Sequence, residues 1–186
     1  MADISHEWPP MGTSMVMNIF GHYMNLIDGH WCKKELKIMQ TSNLLLQKLM
    51  EFEGCRLEAY LDEAGVPTIG YGHTKGVRMG DKISEYWARN LLKEDVEYFA
   101  QRVERLGVCR TQGQLDALTS FAFNIGLSRL RKSTLLRVIK RGGSASEISR
   151  EFKRWVYAGG KKMPGLEKRR SWEASRFFES ELTMDN

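Results

Sequence analysis

The chain has 186 residues, a mass of 21.5 kDa, 42% hydrophobic and 27% charged residues, which suits one domain with an appendage and argues against wholesale disorder. Cys32, Cys55 and Cys109 form no CxxC pair, which argues against a disulfide framework or a Cys-based zinc site, and no run of 18 strongly apolar residues reads as a stable transmembrane helix. Lys plus Arg is 28 against 23 Asp plus Glu, a net +5 that suits an anionic partner: nucleic acid, a membrane surface or an anionic wall polymer.

Residues 1–38 differ from the rest. They hold His6, His22 and His30, the Pro9-Pro10 pair, and an uncharged run from Trp8 to Ile27. That run is only weakly apolar and lacks a positive flank, so neither a signal peptide nor a stable membrane insertion is expected. His22, His30 and Cys32 have no spacing that defines a metal site, and no metal is expected. The segment reads as an extension without regular structure and of unknown role. Met39 would serve as a start for the organised domain, 39–186.

That domain opens with Ser42 or Asn43 as a helix N-cap. Leu46, Leu49, Met50 and Glu53 then share one face, and Gly54 ends the helix. Residues 55–72 switch to a period of two. Leu57, Ala59 and Leu61 alternate with Arg56, Glu58, Tyr60 and Asp62, a turn follows at Asp62–Gly65, and Val66–Tyr71 returns as a strand with Pro67 at an edge. From Ser84 the period is helical again, with Trp87, Leu91, Leu92, Val96, Phe99, Val103 and Leu106 as one stripe. Thr111 caps a helix ending at Gly126. Ser133–Arg141 is a short helix, and Ser144 caps another running to about Tyr157. Ala158–Gly165 is a Gly-rich loop, and the last helix spans Leu166 to about Glu179. Trp87, Phe99 and Phe121 read as core. The sum is an α+β domain, with a small antiparallel β lobe ahead of a larger helical lobe.

Charge is uneven. Arg129–Arg176 holds fifteen Lys and Arg against four Asp and Glu, a net of +11, whereas Leu44–Ser128 has a net of −2. The basic third reads either as solvated helix faces or as contact with an anionic polymer.

Two carboxylic acids carry the chemical reading. Glu53 lies on an apolar stripe at a helix C-terminus, where desolvation and the helix dipole both disfavour its charge. A carboxylic acid held protonated is what a general acid needs, although a Glu at a stripe edge can simply reach water. Asp62 sits in a turn, where an Asp usually bonds its own backbone and stays ionised. Two carboxyls in contrasting environments are the mark of glycoside hydrolysis. Thr68 lies on the returning strand, on one face with Gly70 and Gly72, which leaves room for a ligand. His73 reads more readily as a structural hydrogen-bonder than as a proton shuttle.

The stretch Glu53-Gly54-Cys55-Arg56-Leu57-Glu58-Ala59-Tyr60, then Asp62, then Gly65-Val66-Pro67-Thr68-Ile69-Gly70-Tyr71-Gly72-His73-Thr74 resembles the active-site segment of phage-type lysozymes, endolysins of glycoside hydrolase family 24. The pattern E-x8-D-x5-T is present without a gap. Further similar blocks are Gln114–Gly126, Arg154–Gly160, and Pro164-Gly165-Leu166 with Arg169-Arg170 and Glu173, so the resemblance spans roughly 40–180. Trp172 and Phe177-Phe178 are bulkier than the pattern suggests. The resemblance implies a lysozyme-like fold and a muramidase that cleaves the β-1,4 bond between N-acetylmuramic acid and N-acetylglucosamine in bacterial peptidoglycan, without a cofactor. It implies Glu53 as general acid, water positioned by Asp62 with Thr68, inversion at the anomeric carbon, and substrate contacts at Asn124 and Tyr157. Asn124 reads equally as a helix-terminal group satisfying backbone. A monomer that accumulates in the host cytoplasm before lysis, with no nucleic-acid partner, completes the expectation. The competing reading is a non-catalytic, basic cell-wall-binding protein on the same fold.

Overall fold

The computed structural model describes residues 40–179 and, before them, the backbone of three strands. The chain divides into two units, Met1–Ile38 and Met39–Asn186. In the first, β1 (Val16–Ile19), β2 (His22–Ile27) and β3 (His30–Lys34) pair antiparallel in that order. Regular structure was not expected there. The signal passed over is Asp28-Gly29 between the paired Ile27 and His30, a dipeptide favoured in two-residue hairpins. The side chains of His22, His30 and Cys32 lie outside the described residues, as does half of the run from Trp8 to Ile27.

In the second unit, α1 (Asn43–Glu53) begins at Ser42, whose Oγ accepts from the Leu45 N–H at 3.0 Å. Leu45 and Leu49 are fully buried, with Leu46 and Met50 partly buried beside them. Glu53 is the next residue in the Leu45–Leu49 row, one turn further on, so it does extend the apolar stripe. Gly54 follows at φ 68°, in the left-handed region where a Cβ is strained, and the helix stops there.

β4 (Arg56–Leu61) and β5 (Pro67–Gly70) form the antiparallel hairpin, with Leu61 opposite Pro67, the first residue of its strand. The expected alternation holds through Ala59 and then fails. Leu61 is 56% exposed and Tyr60 is half-buried. The register shifts between Arg56 and Tyr60, where β4 advances four residues against two of β5, and the alternation breaks at this irregularity. The far edge of β4 is covered by residues 81–83, through Ala59 N–H to Asp81 O and Ile83 N–H to Leu57 O, both 2.9 Å.

The helical lobe is built around α3 (Gln112–Ile125), capped by Thr111 and buried along Leu115–Ala122. It packs between α2 (Glu85–Glu104) and α7 (Pro164–Phe178). Phe121 meets Phe152 and Trp155 edge-on, with centroids 5.4 and 5.5 Å apart. Gly113 permits the close approach of α7: a Cβ there would lie 2.4 Å from the Arg176 carbonyl oxygen. Trp87 corrects an expectation, because it is 59% exposed. The inward face of α2 is Ala88, Leu92, Val96, Ala100 and Val103, so small residues rather than the aromatic carry the contact.

The sequence reading omits α4 (Leu127–Lys132), which follows α3 directly at Gly126 and is too short to show a period. Next come α5 (Thr134–Lys140) and α6 (Ala145–Lys153), the latter opened by a capping box between Ser144 and Glu147. The Gly-rich loop holds a two-residue hairpin, β6 (Tyr157–Ala158) and β7 (Lys161–Lys162). Trp172 fits edge-on against Phe52 at 6.0 Å, joining α7 to α1. This second unit is α+β: a small antiparallel sheet and a larger helical lobe.

Candidate active site

Glu53 is the last residue of α1, and Asp62 is the first residue after β4. The Glu53 side chain is 24% exposed, and its Oε1 accepts from Arg169 Nη1 at 2.5 Å. Its other oxygen has no hydrogen bond among the described residues. A guanidinium cation therefore touches the Glu53 carboxylate directly. Asp62 is held by its own turn. Its Oδ1 accepts from the N–H groups of Ala64 (2.9 Å) and Val66 (2.8 Å). Oδ2 is left without a hydrogen bond among the described residues. Thr68 is buried, and its hydroxyl donates to the Val66 carbonyl at 2.9 Å. That spends its proton and leaves the oxygen as an acceptor.

Behind Glu53 lies an ionic network that the sequence reading did not assemble. Arg169, Arg170 and Glu173, all on α7, are buried. Arg169 Nη2 donates to the Ser120 carbonyl at 2.9 Å, and the Ser120 hydroxyl donates to Glu173 Oε1 at 2.7 Å. Arg170 donates to Glu173, to the Trp155 carbonyl and to Asn124 Oδ1. The network thus joins the ends of α1 and α3 and the start of the β6–β7 hairpin to one helix. Burial pushes the Glu173 carboxyl up and Arg170 down, against the attraction between them. A signal was available: Arg170, Glu173, Ala174 and Phe177 form one helical stripe, and two opposite charges on a stripe otherwise made for the core mark a buried pair.

A second clamp holds the other end of α1. Buried Asp116 accepts from the Ser42 hydroxyl (2.7 Å), Gln112 Nε2 (2.8 Å) and Arg176 Nη2 (2.8 Å). Both ends of the helix that carries Glu53 are therefore tied to α3 and α7.

Asn124 is exposed, and its carbonyl oxygen is taken by Arg170, so it satisfies a side chain and not the helix backbone. Tyr157 is 62% exposed on β6. His73 has the expected structural bonding: Nδ1 meets Asp95 at 2.7 Å and Nε2 meets the Lys75 carbonyl at 3.0 Å. Burial, and next the adjacent Cys55, push the Tyr71 phenol up, so it stays neutral beside the site. Among the described residues no group of three or more His, Cys, Asp or Glu is placed to hold a metal ion, and no helix is long and apolar enough to cross a membrane.

Residues 50–173 match the family model for phage lysozyme. The chain belongs to that family. Among its relatives are the endolysin of Bacillus phage B103, 41% identical over 77% of this chain and 56% of that protein, and the endolysin of Acyrthosiphon pisum secondary endosymbiont phage 1, 39% identical over 75% of this chain and 98% of that one. The chain spans about half the length of the Bacillus phage endolysins it matches. Among solved structures, the muramidase domain of SpmX from Asticaccaulis excentricus superposes with a TM-score of 0.68 at 30% identity, over 76% of this chain and 99% of that one. The phage lysozyme match begins three residues before Glu53 and ends at Glu173, so it contains both acids and the buried network behind Glu53.

Proposed function

We propose that this phage lysozyme is a peptidoglycan muramidase that hydrolyses the β-1,4 bond between N-acetylmuramic acid and N-acetylglucosamine. The observation that carries the reading is a shared asymmetry. Glu53 and Asp62 each have one carboxylate oxygen anchored by the protein and one without a hydrogen bond among the described residues. Anchoring fixes direction, and the remaining oxygen does the chemistry. Glu53 donates its proton to the leaving glycosidic oxygen. Asp62 accepts a proton from the attacking water, whose other hydrogen bonds to Thr68 Oγ1. Water then attacks the anomeric carbon from the face opposite the leaving group, so the configuration inverts. No cofactor enters these steps.

Asn124 and Tyr157 are the substrate contacts in this reading. With Asn124 Oδ1 committed to Arg170, its amide N–H₂ is the group that faces sugar. Tyr157 offers an aromatic face on a glycine-tipped hairpin. The protein acts as a monomer, is held in the host cytoplasm and works on the wall once released.

Turbidity of chloroform-treated Gram-negative cells provides the test. Wild type clears the suspension, and Glu53→Gln slows clearing by about 10²–10⁴-fold, the usual share of general-acid catalysis. Equal clearing by both proteins defeats the catalytic reading and leaves the non-catalytic wall-binding one. Mass analysis of the fragments separates water attack from anhydro-sugar formation, and NMR of the first-formed anomer tests inversion.

A further inference from the structure

Residues 127–141 contain six Lys and Arg and no Asp or Glu. They form α4, α5 and the residue that ends α5. Arg129, Arg131, Lys132, Arg137, Lys140 and Arg141 are all exposed. The reason is geometric: Leu130, Leu135, Leu136 and Val138 turn inward and take the core positions. Arg137, Lys140 and Arg141 fall at i, i+3 and i+4, so they share a face.

Among the described residues, exposed Lys82, Arg154 and Lys162 sit beside carboxylates while exposed Lys75, Lys93 and Lys153 have no ion pair, so what sets this run apart is that it contains no acid of its own. On this face, among the described residues, only Arg141 has a carboxylate partner, Glu147 of α6 at 2.7 Å, and Arg137 donates to the Thr134 hydroxyl. Helix dipoles favour cations in a last turn. That accounts for one or two per helix, and does not explain why no acid is interspersed among six. The run also begins directly after the candidate site, since Gly126 ends the helix of Asn124 and opens α4.

We infer that the α4–α5 face docks the carboxylate-bearing stem peptides of peptidoglycan while the glycan strand occupies the site. The inference rests on the muramidase reading above. The partner follows from what the face holds and lacks. It has no exposed large apolar side chain to insert into a bilayer, which argues against a lipid surface. It has no aromatic residue on which a base could stack, which argues against single-stranded nucleic acid. It offers cations spaced along two helices, and a polymer with carboxylates repeated along its length meets several of them at once.

The test uses the full-length chain with Glu53→Gln, so that bound wall is not degraded, and peptidoglycan stripped of attached phosphodiester polymer. Combining Arg129→Glu, Arg131→Glu, Lys132→Glu and Lys140→Glu lowers co-sedimentation affinity by about tenfold or more at low salt, and the difference closes at about 0.5 M NaCl. The same four positions changed to Gln give a smaller loss and guard against misfolding. Amidation of the wall carboxyls removes the advantage of the parent protein. Equal binding by parent and charge-reversed proteins, undiminished binding to amidated wall, binding that requires the phosphodiester polymer, or preferential binding to anionic vesicles would each overturn the inference. With Glu53 intact, the charge-reversed protein cleaves an uncharged N-acetylglucosamine oligosaccharide as the wild type does. If wild type cleaves neither that oligosaccharide nor the wall, the muramidase reading fails instead.

Discussion

Glu53 and Asp62 are nine residues apart in the chain and are held in place by opposite means. Asp62 is oriented by N–H groups two and four residues away, within a turn that any short peptide could begin to form. Glu53 is oriented by a guanidinium 116 residues further on, itself gripped by a buried carboxylate and a carbonyl of a third helix. One acid depends on local backbone geometry, and the other exists in position only when the whole helical lobe has folded. Loosening the lobe should therefore disturb Glu53 and leave the Asp62 turn alone.

The strongest way to break that asymmetry is Glu173→Ala. It leaves Arg169 and Arg170 buried without their shared carboxylate and should cost about 3–5 kcal/mol of unfolding free energy in urea titrations, with clearing activity falling alongside. A loss below about 1 kcal/mol would show that water or relaxation replaces the pair. Next comes Gly113→Ala, whose Cβ meets the Arg176 carbonyl and forces α7 away from α3, for about 1–3 kcal/mol by the same titration. On the local side, Asp62→Asn keeps an Oδ1 acceptor for both N–H groups, so stability should change by less than about 1 kcal/mol while clearing is lost. Retained clearing would remove Asp62 from the mechanism.

Thiol chemistry sharpens the contrast between lobes. Burial pushes the Cys109 thiol up to about 12, with Glu104 adding to the effect, whereas Cys55 is exposed beside Glu53. In a Cys32→Ala background at neutral pH, thiol reagents should modify Cys55 quickly and Cys109 slowly. Folding prefers the protonated Cys109 thiol. That contribution is complete below the ordinary thiol range near 9 and is lost as pH rises toward 12, so Cys109→Ala should flatten the alkaline fall in stability. The smallest effect belongs to Thr119. Its Oγ1 is the one buried side-chain polar atom without a hydrogen bond among the described residues, so Thr119→Val should leave the melting temperature unchanged or raise it slightly.

What the sequence made legible follows the same division. The N-caps at Thr111 and Ser144, the start at Ser42 or Asn43 and the stops at Gly54 and Gly126 are readable because capping is settled within four residues. The exposure of Leu61 was not, because the bulge in β4 appears only when strands pair, and neither was that of Trp87, because the periodic stripe ran along the edge of the contact. Helix α4 is too short to show a period, and Asp28-Gly29, between the paired Ile27 and His30, is a local pair that favours a two-residue hairpin.

By itself the sequence determined which residue types stand at E-x8-D-x5-T, the α+β order of elements, and the turn that aims Asp62. Only the tertiary structure decided what Glu53 faces. Arg169 reaches it because α7 packs across α3, and Arg169 stays there because a buried carboxylate and the Ser120 carbonyl satisfy the rest of its guanidinium. Local hydrogen bonds are written in neighbouring residues. The surroundings of a charge are set by chain segments that meet only when the core closes.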